Sequence, residues 1–206
     1  MNRILISILA IIMIGSCCNN KTNEPTATDA DRQAAAAIDS LDALYATTLL
    51  KPGVQVPELT LNDLRGNARS LSEFRGKKVV LVFWASWCPD CRAEAPELRA
   101  MQADADPGKV VFVSVSFDRD FETLCKYVEE NFLGGVQLFD PAGKKESRAA
   151  AEFGVKWIPS LYLIDEEGKV IVSTVVAAKI ASALNSPAAD PTTPGGVCND
   201  EGCCVN

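Results

Sequence analysis

The chain has 206 residues, 48% hydrophobic and 23% charged, which fits one soluble domain with appendages. Lys and Arg number 20 against 27 Asp and Glu, a net charge of −7 and the wrong sign for a nucleic-acid surface, so nucleic acid is set aside as a partner. The histidine count is 0, which excludes Ser-His-Asp and Cys-His nucleophile pairs, HExxH zinc sites and imidazole proton shuttles together.

The first residues read as an address. Arg3 precedes an apolar run from Ile4 to Ile14, too short for the ~20 residues that cross a bilayer and right for a secretory signal over 1–16. Ile14-Gly15-Ser16-Cys17 resembles the bacterial lipobox, so Cys17 is expected to be a lipid anchor and the mature N-terminus; the plainer alternative is secretion with Cys17 unmodified or disulfide-bonded. The expected location is therefore periplasmic, lipid-anchored to a bacterial membrane, in a compartment where disulfides persist. Residues 17–28 are polar and read as a flexible tether. In 29–52, Ile38, Leu41, Tyr45 and Leu49 fall at helical spacing, predicting an amphipathic helix that ends at Pro52-Gly53.

A domain is expected over 53–185. Leu59 to Leu61 and Ala68 to Leu71 flank the Arg65-Gly66-Asn67 turn and predict a β-hairpin, followed by one helical turn at Ser72 to Phe74. Val79 to Phe83 is a continuous β-branched and apolar run, as a central buried strand requires. A helix over Ala93 to Ala103, a strand over Val110 to Val115 and a helix over Asp120 to Phe132 come next. Val136 to Phe139 reads as a strand, Glu146 to Phe153 as a helix, and Ser160 to Ile164 and Val170 to Val175 as strands about the Asp165-Glu166-Glu167-Gly168 turn; Ala177 to Asn185 closes as a helix. Alternation followed by a final hairpin predicts an α/β three-layer sandwich with a mixed central sheet and an N-terminal β-hairpin extension. Residues 186–206 are a linker and a Cys-rich tail.

The chemistry concentrates in Trp87-Cys88-Pro89-Asp90-Cys91, directly after the buried strand and at the start of a helix. At i and i+3 on a first helical turn two sulfurs can reach a bonding distance of ~2.05 Å. Free N–H groups and the positive end of the helix dipole favour a thiolate at Cys88, the outer and attacking cysteine; Cys91, one turn in, is expected to be shielded and to resolve the mixed disulfide. Pro89 suits the first turn because it has no N–H to leave unpaired. Asp90 sets a negative charge beside Cys88, opposes a second one there, and is expected to raise the pKa of that thiol and make the pair more reducing. The competing reading is a structural metal site or a static disulfide. A closed zinc site would have to draw two further ligands from distant cysteines or carboxylates.

The run Lys78 to Pro96, with Pro57-Glu58-Leu59-Thr60-Leu61, Leu71 to Lys77 and Trp157-Ile158-Pro159-Ser160, resembles the thioredoxin superfamily, and within it the TlpA/ResA-like membrane-tethered thiol-disulfide oxidoreductases. That resemblance implies a thioredoxin-like fold, a redox-active Cys88–Cys91 disulfide, and no separate cofactor or metal. It implies a cis Pro159 lying against the cysteines, with Ile158 holding an extended substrate segment. Trp87 is expected to shape the rim of the site. Thioredoxin has a buried acid where this chain has Val82, and Glu94 matches the active-site glutamate of ResA-like proteins, so Glu94 is the candidate proton partner of Cys91. The implied partners are disulfide-bonded protein substrates and a membrane electron-donor thiol protein, with the lipid membrane reached through Cys17. The implied direction is reduction.

Two other functions compete. A thiol peroxidase would need a threonine three residues before the reactive cysteine, where this chain has Ala85. A tethered, non-catalytic peptide-binding module would keep the Pro159 groove without turnover. Cys125 shares a helical stripe with Phe121, Leu124 and Val128 and is expected to be a buried, inert thiol. Cys18 carries no assigned role, and the roles of Cys198, Cys203 and Cys204 stay open between a disulfide, metal capture, pairing with another chain and exchange with Cys88.

Overall fold

The computed structural model describes residues 29–131 and 134–186. The expected signal (1–16), the Cys17 anchor, the tether (17–28) and the tail cysteines lie outside the described residues. In chain order the elements are α1 (Asp29–Tyr45), β1 (Thr60–Asp63), β2 (Ala68–Ser70), a 3-10 turn (Leu71–Phe74), β3 (Lys78–Trp84), α2 (Pro89–Asp104) and β4 (Val110–Ser116). Then follow α3 (Phe121–Glu130), β5 (Val136–Phe139), α4 (Gly143–Glu146), α5 (Arg148–Glu152), β6 (Ser160–Ile164), β7 (Val170–Thr174) and α6 (Ala177–Asn185).

One seven-stranded sheet runs in the order β2-β1-β5-β4-β3-β6-β7. β3, β4 and β5 are parallel, joined by the crossovers through α2 and α3, while β6 and β7 close one side antiparallel and the β1–β2 hairpin extends the other. The mixed α/β sandwich with its hairpin extension is therefore as expected. Gly66 turns that hairpin at φ +83°, a conformation only glycine adopts without strain.

β3 sits at the centre because both of its faces are apolar. Val80, Val82 and Trp84 face a core shared with Cys91 of α2, Leu124 of α3 and Ile180 of α6. Val79, Leu81 and Phe83 face the opposite core, with Leu49, Leu71, Phe153 and Tyr162. Full burial of each large side chain contributes ~1.5–3 kcal/mol. Around Phe83, the Phe117, Phe153 and Tyr162 rings lie 5.8, 5.2 and 6.2 Å away between centroids. The Tyr162 hydroxyl donates to the Phe153 carbonyl and accepts the Leu50 N–H at 3.1 Å, which pins the chain after α1 to the sheet.

Three elements differ from the sequence expectation. α1 ends at Tyr45 rather than at Pro52, because Ala46 and Leu49 turn into the core and Thr48 Oγ1 donates to the Gly154 carbonyl at 2.6 Å. Its own Leu41, Leu44 and Tyr45 stay exposed. The helix expected over Glu146 to Phe153 is instead two short pieces, α4 and α5, broken at Ser147, whose Oγ caps the second by accepting the Ala150 N–H at 2.8 Å. Cys125 is half-buried rather than buried: α3 turns Leu124 fully inward and leaves Phe121 exposed, edge-on to Phe139.

Candidate active site

β3 ends at Trp84, and the next four residues make the approach to α2. A buried carboxylate holds that approach. Asp118, just past β4, accepts the Ser86 N–H at 3.0 Å, the Ser86 hydroxyl at 2.6 Å and the Ser116 hydroxyl at 2.6 Å. All three residues are buried, so these charge-assisted bonds are unscreened by water. The Cys88 N–H then closes a turn on the Ala85 carbonyl at 3.1 Å.

Cys88 is the N-cap of α2 and Pro89 its first residue. The Cys91 N–H donates to Cys88 Sγ at 3.2 Å, so the helix start offers one of its unpaired donors to that sulfur. Cys88 Sγ in turn donates to the Ile158 carbonyl at 3.5 Å, across the chain. The Ile158–Pro159 bond is cis, and Ser160 Oγ braces the loop by donating to the Trp157 carbonyl at 2.7 Å. Both cysteines are free thiols.

Cys88, the outer cysteine, is as buried as Cys91, each being 4% exposed. What differs is the surroundings. Cys91 borders a small, largely apolar pocket of about 50 Å³ with Val82, Trp84, Leu98 and Phe112, whereas Cys88 faces the Ile158 carbonyl. Burial pushes the Cys91 thiol far up, the Cys88 sulfur adds to this, the Ala85 N–H opposes it, and the Asp90 charge raises it further.

Glu94, one turn after Cys91, is half-buried, and its Oε2 accepts the Ala177 N–H at 2.6 Å. Its hydrogen bond goes to the start of α6, which has no cap from its own side chains, rather than to Cys91. Burial raises the Glu94 pKa, the Ala177 N–H opposes this, and Glu97 and Asp90 add to it. Trp87 is exposed and lines a separate hollow with Ser86, Asp118 and Thr123, and Pro159 is buried beneath a groove of about 360 Å³ that Ile158, Asp90 and Glu94 also line.

Leu41 and Tyr45 of α1 and the exposed Trp157 line the same groove. Sequence reasoning gave these three no role in the site, and it missed Ser86 and Asp118 as well. The available signal for the latter was an acid two residues past an apolar strand that ends in serine, Ser116-Phe117-Asp118.

A mixed five-stranded core with hairpin extension, a Cys-x-x-Cys pair at the start of the helix after its central strand, and the carbonyl before a cis-proline facing the outer sulfur define a thiol-disulfide oxidoreductase of the thioredoxin fold. The chain belongs to the AhpC/TSA family, whose model matches residues 52–173. It is 32% identical over 123 residues to the thioredoxin-like protein YneN of Bacillus subtilis, covering 59% of this chain and 69% of that one. It is 28% identical over 142 residues to the thiol-disulfide oxidoreductase ResA of Geobacillus thermodenitrificans, covering 68% and 79%. Among solved structures, the thioredoxin domain of a thiol-disulfide oxidoreductase from Bacteroides vulgatus superposes with a TM-score of 0.57 at 30% identity, covering 66% of this chain and 99% of that chain. A thiol:disulfide interchange protein DsbE from Chlorobium tepidum gives 0.58 at 32%, covering 66% and 93%.

Proposed function

We propose that the protein reduces disulfides in exported proteins through the Cys88–Cys91 dithiol, from a periplasmic site on a bacterial membrane to which Cys17 ties it by lipid. The observation that carries the reading is the Cys91 N–H directed at Cys88 Sγ at a helix start, with the carbonyl before the cis-proline on the other side of that sulfur.

The Cys88 thiolate attacks one sulfur of the substrate disulfide. That S–S bond breaks, the departing sulfur takes a proton, and Cys88 is left in a mixed disulfide. Cys91 then loses its proton and attacks Cys88 Sγ, releasing the second substrate thiol and leaving a Cys88–Cys91 disulfide. Two electrons have passed to the substrate, and a membrane thiol protein restores the dithiol. Burial, which holds the Cys91 proton in place, keeps that sulfur from reacting first. Glu94, on the same helix face, takes the proton when Cys91 attacks; its raised pKa suits it to hold one. Ile158 and Pro159 form the ledge for the substrate backbone, and Trp87 its outer rim.

Insulin reduction driven by dithiothreitol tests the activity. Turnover that disappears in Cys88→Ser supports it, and wild-type protein no faster than dithiothreitol alone identifies a binding module instead. Ala85 stands where the peroxidase reading needs a threonine, and hydrogen peroxide consumption without disulfide reduction would favour that reading. For the anchor, Cys17→Ser should move the protein from the membrane to the soluble fraction and remove the lipid mass; unchanged fractionation contradicts it. Among the described residues no helix is long and apolar enough to cross a membrane.

A further inference from the structure

The family match begins at residue 52, so α1 stands outside it, yet α1 is firmly docked. Asp42 accepts from Thr174 Oγ1 at 2.8 Å and from the Val175 N–H at 3.0 Å, and pairs with Lys179 of α6 at 2.8 Å. Asp39 reaches the same lysine at 3.2 Å. The Tyr45 ring meets Trp157 edge-on, centroids 5.3 Å apart. These contacts tie the helix both to the β7–α6 junction and to the loop that holds the cis-proline.

The docking is done largely by charges, while Leu41 and Tyr45 remain 43% and 38% exposed and line the groove. A helix that served only the core would turn those side chains inward. Instead they give the groove, with Trp157, an apolar lining beside Ile158 and Pro159, and Asp90 and Glu94 line it as well. At about 360 Å³ the groove lies at the small end of the ~300–1,000 Å³ range of ligand sites, which suits one bulky side chain of an extended chain rather than a folded surface. Its two charged lining groups are both carboxylates. Lys144 lies 5.8 Å from the centre of the Trp157 ring and is tied to the Lys156 carbonyl at 2.5 Å, and Lys179 is paired with Asp42 and Asp39.

We propose that α1 is a specificity wall: the groove takes a large apolar side chain beside the reacting cysteine of a polypeptide substrate, and Asp90 and Glu94 select a basic residue next to it. The inference rests on the reading of Ile158 and Pro159 as the substrate ledge, and it names the class of sequence that ledge accepts.

The test uses the reduced full chain and four disulfides: glutathione disulfide and the homodimers of Phe-Cys-Arg, Ser-Cys-Arg and Phe-Cys-Glu peptides, with rates followed by tryptophan fluorescence. Phe-Cys-Arg is expected to exceed the other two peptides in kcat/KM by about tenfold, the scale one apolar pocket contact supplies, with the difference in KM. The paired change Leu41→Ala, Tyr45→Ala should bring the Phe to Ser ratio to about one, while Leu44→Ala, on the same helix but off the groove, keeps it. Equal rates for the three peptides overturn the proposal, as does a ratio that survives the paired change or falls equally in Leu44→Ala. A wild-type dimer that dissociates in the paired variant assigns the groove to a second copy and also overturns it. Failure to reduce even glutathione disulfide sinks the reductase reading itself, whereas equal reduction of all four sinks only the specificity wall.

Discussion

Glu94 of α2 and Ala177 of α6 are 83 positions apart in the chain and joined by a 2.6 Å hydrogen bond, carboxylate to backbone N–H. The bond ties the helix that carries the cysteines to the helix that closes the sheet, and it buries half of a carboxylate that is also the candidate proton acceptor for Cys91. Burial sets its folded pKa above the ordinary value of 4.5. The folded protein therefore holds this proton more tightly than the unfolded chain does. The stability this group contributes is complete below the unfolded pKa and is lost as pH rises through the folded one. Glu94→Gln should thus gain stability relative to wild type as pH rises from acid to neutral, as read from urea midpoints across pH. The same substitution should remove from the resolving step a pH inflexion that lies above the usual carboxylate range. An unchanged inflexion in the variant would separate Glu94 from proton transfer.

The two thiols should react in sequence. Cys91 borders a small, largely apolar pocket and its thiol is held protonated by burial, so iodoacetamide near neutral pH should label Cys88 before Cys91. Peptide mass mapping at successive times checks the order. Asp90→Asn removes the charge that helps raise Cys91 and should bring forward Cys91 labelling on the alkaline side.

Asp118 should be the most costly polar residue near the site to remove. Asp118→Ala leaves the Ser86 N–H and the Ser86 and Ser116 hydroxyls without their buried acceptor. A loss of about 3 kcal/mol is expected from urea unfolding, with part of it restored by Asp118→Asn, which keeps one acceptor oxygen.

Asp42→Ala should free α1 without unfolding the domain, because its partners Thr174, Val175 and Lys179 lie at the edge of the sheet and not in its centre. Hydrogen exchange over 29–45 should rise towards unprotected rates while β3 stays protected. The global stability should fall by only about 1–2 kcal/mol.

Local signals made much of this molecule legible. β3 announced itself as a run of β-branched and aromatic residues, the hairpin by Gly66, and the site by two cysteines at the mouth of a helix with Pro89 between them. What the sequence hid depends on distant partners. Ser86 and Asp118 lie 32 positions apart and meet only because β3 and β4 pair in parallel. The apolar stripe of Leu41 and Tyr45 reads as core by periodicity, and only the charges of Asp39 and Asp42 on Lys179 explain why it faces a groove. The end of α1 at Tyr45 was likewise set by a tertiary bond, Thr48 to Gly154, which overrode helical spacing that continued to Leu49. Gly154 itself, at φ +68°, admits that approach because a Cβ there would strike the Thr48 carbonyl.

Trapping with Cys91→Ser bears most directly on the central claim, that Cys88 captures a substrate sulfur and Cys91 evicts it. Incubated with a disulfide-bonded protein, the variant should accumulate a covalent adduct at Cys88 that dithiothreitol releases, while Cys88→Ser forms none. Adducts that form equally in Cys88→Ser, or in neither variant although the wild type reduces the same protein, would contradict the account.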